Sequence, residues 1–505
     1  MSIGKLTPKP ACKCYGNPSR STHSRSPKNS LYYGEMDNAI ALYSVTKTFI
    51  NDLVTPISAY LTLHSKDSFF LESVTHGHRI GRFSIIGYDP LYQLKGYDDH
   101  VIVSHGATQT TLIGNPITIL SDYQRAIQHD ATGDSATMLG FFGYFNWHIL
   151  NAIEAVTVQA PPNKPAFNFQ IPRVLIVFDH ALQRIAITLS DTKPITNTSL
   201  ISDVYTTIKQ PLPADTPIVP PPCEKLDWSL VSSNWTQSDF EAGVDTMRHH
   251  IREGDIFQAV LSQRFSVPQR QSPLTVYRSL RHINPSPYMF YFNYGDYQLI
   301  GSSPEVLVKS TNGTAWVRPI AGTRKRSDSD EAEQALIECL TSDPKEVAEH
   351  MMLVDLGRND LGRVCAYNSI TVDERMIIER YSHVMHMVSN IRGTLLPNVS
   401  PIDLFKATFP AGTVSGAPKR RAIQIIDAIE TDARSIYAGG VGYFDFNTDC
   451  DFCIAIRTIV AENGRYFVQA GAGIVADSDP YTEYRESQNK AQGVLLACLS
   501  GATST

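Results

Sequence analysis

Hydrophobic and polar positions along this chain alternate in two rhythms, short strand-like runs and longer helical stretches, and glycine or proline separates them. From about Ile40 to Asp191 the runs are short and apolar, as in FSIIGY and RVLIVF, with helical segments between them. Residues 192–235 lose this periodicity and gain proline (KQPLPADTPIVPPPCEK), which predicts a linker or a surface excursion. A helix pattern resumes at Thr236 (TQSDFEAGVDTMRHHIREGDI), and ordered segments continue almost to the end. The division expected is therefore a tail over 1–36, a first region over 37–191, the excursion over 192–235 and a second region over 236–500.

Two helices open with the same device. Asp479 and Pro480 are a natural N-cap and first helical residue, and Asp343 and Pro344 repeat the pair. Just inside each start, two glutamates lie three apart and share a face: Glu483 with Glu486, and Glu346 with Glu349. Lys490 follows one turn after Glu486. Glu346 is also placed to complete a capping box with Asp343, and either pair alone reads as solvated surface. Two such pairs facing one another would need a cation, and an all-oxygen set favours a hard ion, Mg2+ first.

Glycine-bearing blocks punctuate the second region: LIGSSPEVLVK, RPIAGTRKR, FPAGTVSGAPKRRAIQIIDAIE, YAGGVGYF and VQAGAGIV. PAGTVSGAPK runs into an amphipathic helix in which Ile423, Ile426 and Ile429 share a face, so Thr413, Ser415 and the first helical amides are candidate anion donors. The Walker spacing is absent. In VQAGAGIV, Gly471 and Gly473 let the backbone approach a ligand, and their amides could meet an anion. His383 and His386 in YSHVMHMVSN fall on a predicted strand, where three-apart residues face opposite ways, so they are not a metal pair.

Composition narrows the partners. At 505 residues the chain exceeds one simple core, and 42% apolar with 19% charged residues is globular. A net charge of −6 without a basic stripe argues against nucleic acid, and no apolar run reaches membrane-spanning length. The eight cysteines form no disulfide framework, and Cys450 and Cys453 sit in a strand-like run without a second C-x-x-C. Residues 1–35 are rich in Lys, Arg, Ser and Pro with no acid before Glu35. That composition fits a transit peptide, a disordered extension, or sequence upstream of a start at Met36. The expected location is cytoplasmic, or plastidic if the tail is a transit peptide.

The blocks GDIFQAVLSQRFS, NPSPYMFYF, GSSPEVL, RPIAGTR, EHMMLVDLGRNDLGRV, PAGTVSGAPK, AIRT and GAGIVADSDPYTEY together resemble the anthranilate synthase component I branch of the chorismate-utilising family, over about Ile40 to Leu499. The resemblance implies an α+β fold, a large two-subdomain sandwich of antiparallel sheets with surrounding helices and the active site in the cleft. It implies Mg2+ on Glu349 and Glu486, with Glu346 and Glu483 acting through water. Gly322, Thr323, Tyr437, Arg457, Gly471, Ala472, Gly473 and Lys490 match positions that hold chorismate. Arg457 suits a carboxylate because its fork grips two oxygens. His386 matches the family's acid–base histidine, and Thr413 a residue beside the reacting ring.

Relatives divide by nucleophile. Those that add water resemble one another in a lysine base where this chain has Gln263, and several 4-aminodeoxychorismate producers carry a lysine where this chain has Ala321. A glutamine cannot deprotonate water, whereas ammonia already has its lone pair. The implied reaction is amination of chorismate at ring carbon 2, through aminodeoxyisochorismate, to anthranilate and pyruvate. FFLESV and NPSPYMF resemble a tryptophan feedback pocket, with Ser73, Pro287, Tyr288 and Met289 at its contact positions. The chain has no glutaminase block, so a separate glutamine amidotransferase subunit, in a heterotetramer, is the implied partner. An aminodeoxychorismate synthase and a non-enzymatic tryptophan-binding regulator are the alternatives.

Overall fold

The computed structural model describes residues 30–32, 39–73, 81–134, 138–154, 156–213, 216, 225–327, 329–380 and 384–500, with backbone only at 30–32, 323 and 384. The expectations for the tail and for His383 fall outside the described residues or, at 30–32, on backbone alone.

Among the described residues, 24 strands join in one hydrogen-bonded network. Its longest ladders are antiparallel: Phe83–Gly96 with Phe167–Asp179, and Gln258–Pro268 with Arg465–Ile474. These strands read as nearly continuous apolar runs because both of their faces are buried. Successive residues feed different cores. Phe69, Ile85, Phe290 and Phe292 belong to one, while Phe70, Ile86, Met289 and Tyr291 belong to the other.

The first core is aromatic. Phe145 stacks on Phe405 with centroids 4.2 Å apart and meets Phe169 edge-on at 4.8 Å. The second lies under helices, among them Pro273–Ile283 and Pro480–Leu499, which bury Tyr277, Leu280, Ala491, Val494 and Leu495 there. The antiparallel α+β architecture implied by the motifs is therefore what the chain adopts. No described helix is long and apolar enough to cross a membrane.

The two regions of sequence are stitched together. Ser68–Glu72 pairs with Tyr288–Asn293, and Gly140–Phe145 pairs with Gly440–Asp445, each antiparallel. Within the proline-rich stretch the structure differs from the loss of periodicity read there. Ser199–Ile208 is a helix, and Ile201, Val204 and Ile208 bury one short stripe in the second core. The stripe spans under three turns, too short to stand out beside its proline-rich neighbours.

Local signals set the helices that matter most. Asp479 caps Pro480–Leu499 by accepting from the Thr482 amide at 2.9 Å, and Thr236 caps Gln237–Arg252 through the Asp239 amide. Asp343 caps Pro344–Gly362 through the Lys345 amide at 3.0 Å. Glu346 does not close a capping box; its carboxylate turns outward to the Arg324 guanidinium at 2.8 Å. His386 lies on the strand Val384–Thr394, as the β-branched pattern predicts. Cys450 and Cys453 are buried strand residues, and burial pushes the Cys450 thiol up to about 12.

Candidate active site

The strand Arg465–Ile474 keeps its partner Gln258–Pro268 along its length, but its ladder to Thr458–Glu462 ends at Val468. Residues beyond Val468 therefore present a free backbone edge among the described residues. Gly471 is required there: a Cβ would lie 2.5 Å from the Leu261 carbonyl oxygen and 3.0 Å from the Tyr437 hydroxyl. The Lys490 ammonium donates to the Gly471 carbonyl at 3.1 Å and pairs with Glu486 at 2.6 Å. One lysine thus joins the glycine strand to the carboxylate helix. Gly473 approaches Gln258, and Ala472 is buried in the small core behind the strand.

Four further groups converge on this edge. Tyr437 is buried, its hydroxyl pushed up to about 12 by burial, and it feels both Arg457 and Glu305. The guanidinium of Arg457 is destabilised by burial and feels Tyr437, Glu305 and Glu486, yet no described residue ion-pairs with it. A desolvated arginine without a carboxylate partner among the described residues is prepared for an anion from outside. His386 hydrogen-bonds the Gly322 backbone and lies across from Glu379 in the ladder. Burial, reinforced by Arg457, holds the imidazole below its ordinary value, so it is neutral and able to accept a proton.

Glu305 is a residue that sequence reasoning passed over. It is 8% exposed, receives the Thr413 hydroxyl at 2.8 Å, and burial raises its carboxyl to about 7 although Thr413, Lys490 and Arg457 pull it down. A carboxyl raised to about 7 keeps a substantial protonated fraction near neutral pH and can act as a general acid. The block GSSPEVL contained it, but a lone glutamate after a Ser-Ser-Pro turn has no periodic mate to mark it. Thr413 and Ser415 are not free anion donors, since the Ser415 hydroxyl returns to the Ala411 carbonyl at 2.7 Å.

Gly322 has φ +70°, and a Cβ there would lie 3.0 Å from Glu346, so the helix Pro344–Gly362 comes against the strand Ile320–Lys325 at that point. Thr323 sits opposite His386 in register, and its side chain is outside the described residues. Gln263 is buried with both ends of its amide engaged: it donates to Ser487 at 2.6 Å and accepts from Ser233 at 2.8 Å.

The two carboxylate pairs lie close enough to feel one another, Glu486 acting on Glu349 and Lys345 on Glu483. Burial raises Glu349, and Glu346, Asp343 and Glu486 raise it further; burial raises Glu483, and Glu486 adds to it. No group of three acidic, histidine or cysteine side chains closes to metal-ligand spacing among the described residues. The donor set nonetheless fits a hard cation, because all donors are carboxylates whose mutual repulsion a divalent ion would relieve.

The expected tryptophan contacts also come together, in a cavity of about 630 Å³ where Ser73, Pro287, Tyr288 and Met289 meet Tyr443 and Asp451. The Tyr288 hydroxyl donates to Asp451 at 2.8 Å, and Asp451 pairs with Lys309 at 2.8 Å. Glu72, which also lines it, is neutralised by Arg281.

An antiparallel α+β scaffold that brings an arginine without a described carboxylate partner near a buried, raised acid and two carboxylate pairs suits the handling of a small polyanionic molecule. The chain belongs to the chorismate binding enzyme family, whose model matches residues 66–496. It is 40% identical over 476 residues to anthranilate synthase component 1 of Acetivibrio thermocellus, covering 90% of this chain and 94% of that one. It is 42% identical over 499 residues to the protein of the same name from Synechocystis sp., covering 92% and 96%. Among solved structures, anthranilate synthase component I from Streptococcus pneumoniae TIGR4 superposes with a TM-score of 0.72 at 36% identity, covering 88% of this chain and 98% of that one. The menaquinone-specific isochorismate synthase of Escherichia coli shares the fold with a TM-score of 0.69 at 18% identity, covering 91% and 95%.

Proposed function

We propose that the chain works as anthranilate synthase component I, converting chorismate and ammonia to anthranilate, pyruvate and water. The observation that carries this reading is the buried Glu305, which accepts the Thr413 hydroxyl at 2.8 Å near Lys490 and Arg457 while burial raises its carboxyl. Arg457 grips the enolpyruvyl carboxylate, and the free edge at Gly471 to Gly473 seats the same group. Glu349 and Glu486, backed by Glu346 and Glu483, would hold Mg2+. Once bound, the ion neutralises the ring carboxylate and draws electron density from the ring.

Ammonia adds at ring carbon 2, the ring double bonds shift, and the carbon 4 oxygen leaves as water with the proton of Glu305. The new ammonium nitrogen returns one of its protons to the Glu305 carboxylate. His386, neutral in the free protein, then takes the proton from carbon 2 as the enolpyruvyl ether bond to the ring breaks, and the ring becomes aromatic. The released enolate takes that proton from His386 on its methylene carbon and leaves as pyruvate. Gln263 has no basic form and its amide is engaged at both ends, which disfavours water as the nucleophile.

Ammonia would come from glutamine through a separate amidotransferase subunit, in a heterotetramer, and tryptophan would bind the Ser73–Met289 cavity as feedback inhibitor. The test is incubation of the chain with chorismate, Mg2+ and ammonium ion. Fluorescent anthranilate should accumulate; 4-aminodeoxychorismate or isochorismate in its place would reassign the enzyme.

A further inference from the structure

Three pieces of the cleft come from stretches remote in sequence. They are the turn Gly412–Val414 that carries Thr413, the strand Gln258–Pro268 that supports Gly471, and the turn that carries Tyr437. One buried ion pair touches all three. Arg434 and Glu430 are 2% and 5% exposed, and their fork closes with both N–H···O distances at 2.8 Å. The same guanidinium donates to the Val414 carbonyl at 2.7 Å and to the Val260 carbonyl at 2.6 Å. Its central carbon lies 4.7 Å from the Trp147 ring centre and 5.4 Å from that of Tyr437. Glu430 accepts from the Ser262 amide at 2.8 Å and the Ser262 hydroxyl at 2.7 Å, and Ser262 is the register partner of Gly471.

We infer that the Glu430–Arg434 pair is a positioning device for the amination, fixing Thr413, and through it Glu305, relative to Tyr437 and the Gly471 edge. The inference rests on the function proposed above. A buried ion pair is a poor source of stability, because desolvation cancels most of its attraction. What this pair does supply is a rigid planar fork whose donors end on backbone carbonyls of separate site segments. Displacing a reacting group by about 1 Å costs on the order of 100-fold in rate. Neither residue touches the cleft contents; both act through neighbours.

Arg434→Lys keeps the charge and removes the fork. The expected result is a fall in kcat of roughly 10- to 100-fold with KM for chorismate changed by less than about threefold. A loose fold alone would not move one further readout, the titration of the Glu305 carboxyl in substrate-free protein, followed by 13C NMR and assigned with Glu305→Gln. The Thr413 hydroxyl lowers that titration, and so do the charges of Lys490 and Arg457, while Tyr437 also faces the group. Releasing Val414 should therefore shift it upward, as Thr413→Val does, and the two substitutions combined should cost little more than the worse one. If Arg434→Lys does not fold, Ser262→Ala leaves the ion pair intact and should give the same upward shift at smaller size. An unchanged Glu305 titration, or full kcat in Arg434→Lys, overturns the inference. Because the titration needs no substrate, it answers even if the wild-type chain fails to aminate chorismate, which would sink the proposed function instead.

Discussion

Glu305 is where the chemistry and the stability of this protein pull against each other. Its folded value, about 7, lies above the value expected for the unfolded chain. The group's contribution to stability is then fully present below the unfolded value and is lost as pH rises through about 7. The acid form is the catalytic one in the proposed mechanism, so kcat should fall as pH rises through the same region, and a pH–rate profile in saturating ammonium checks it. Glu305→Gln should cost roughly 100- to 10,000-fold in kcat. The same variant should melt no lower than wild type at pH 8, because it removes the buried acid that is ionised there. Arg457→Gln should instead raise KM for chorismate, with the carboxylate contact gone. None of this was visible around Glu305 in sequence, since burial makes the role and burial is set by distant strands. Arg457, by contrast, was legible through its motif, and the structure adds that no described carboxylate neutralises it.

At the scale of elements, the two Asp-Pro helices were readable in advance because cap, first residue and spacing are all local. What the spacing could not say was where each carboxylate turns. Glu346 meets Arg324 and Glu486 meets Lys490, so the chain supplies its own cations to part of the set. Glu349 and Glu483 stay raised by burial and by their acidic neighbours. Mg2+ should therefore raise the melting temperature of the chain without substrate. Glu349→Gln and Glu486→Gln should abolish that rise while leaving the metal-free protein at least as stable as wild type, as calorimetry with and without chelator would record. The helix Ser199–Ile208 was missed for the opposite reason, as its short stripe acquires meaning only against the second core.

For the molecule as a whole, the two strand pairings that cross between sequence regions carry the most consequence. Cutting the chain to residues 236–500 would expose the edges of Tyr288–Asn293 and Gly440–Asp445 and half of an aromatic core. Such a fragment should aggregate rather than fold, and the full chain should melt in a single calorimetric transition. The same stitching builds the cavity that unites Ser73 with Pro287, Tyr288 and Met289. Ser73→Phe should fill it and weaken tryptophan inhibition at least tenfold with kcat unchanged, as an inhibition titration would measure.

The sequence by itself determined the alternation of strands and helices, the caps, and the match of its motifs to chorismate-handling enzymes, since each of these depends on neighbours within a few residues. Only the tertiary structure decided that burial raises the Glu305 carboxyl, that Arg457 lacks a described carboxylate partner and that Arg434 joins three site segments. Those properties arise from desolvation and from contacts such as Thr413 to Glu305 and Arg434 to Val260 that join stretches distant in the chain, and no local pattern encodes them.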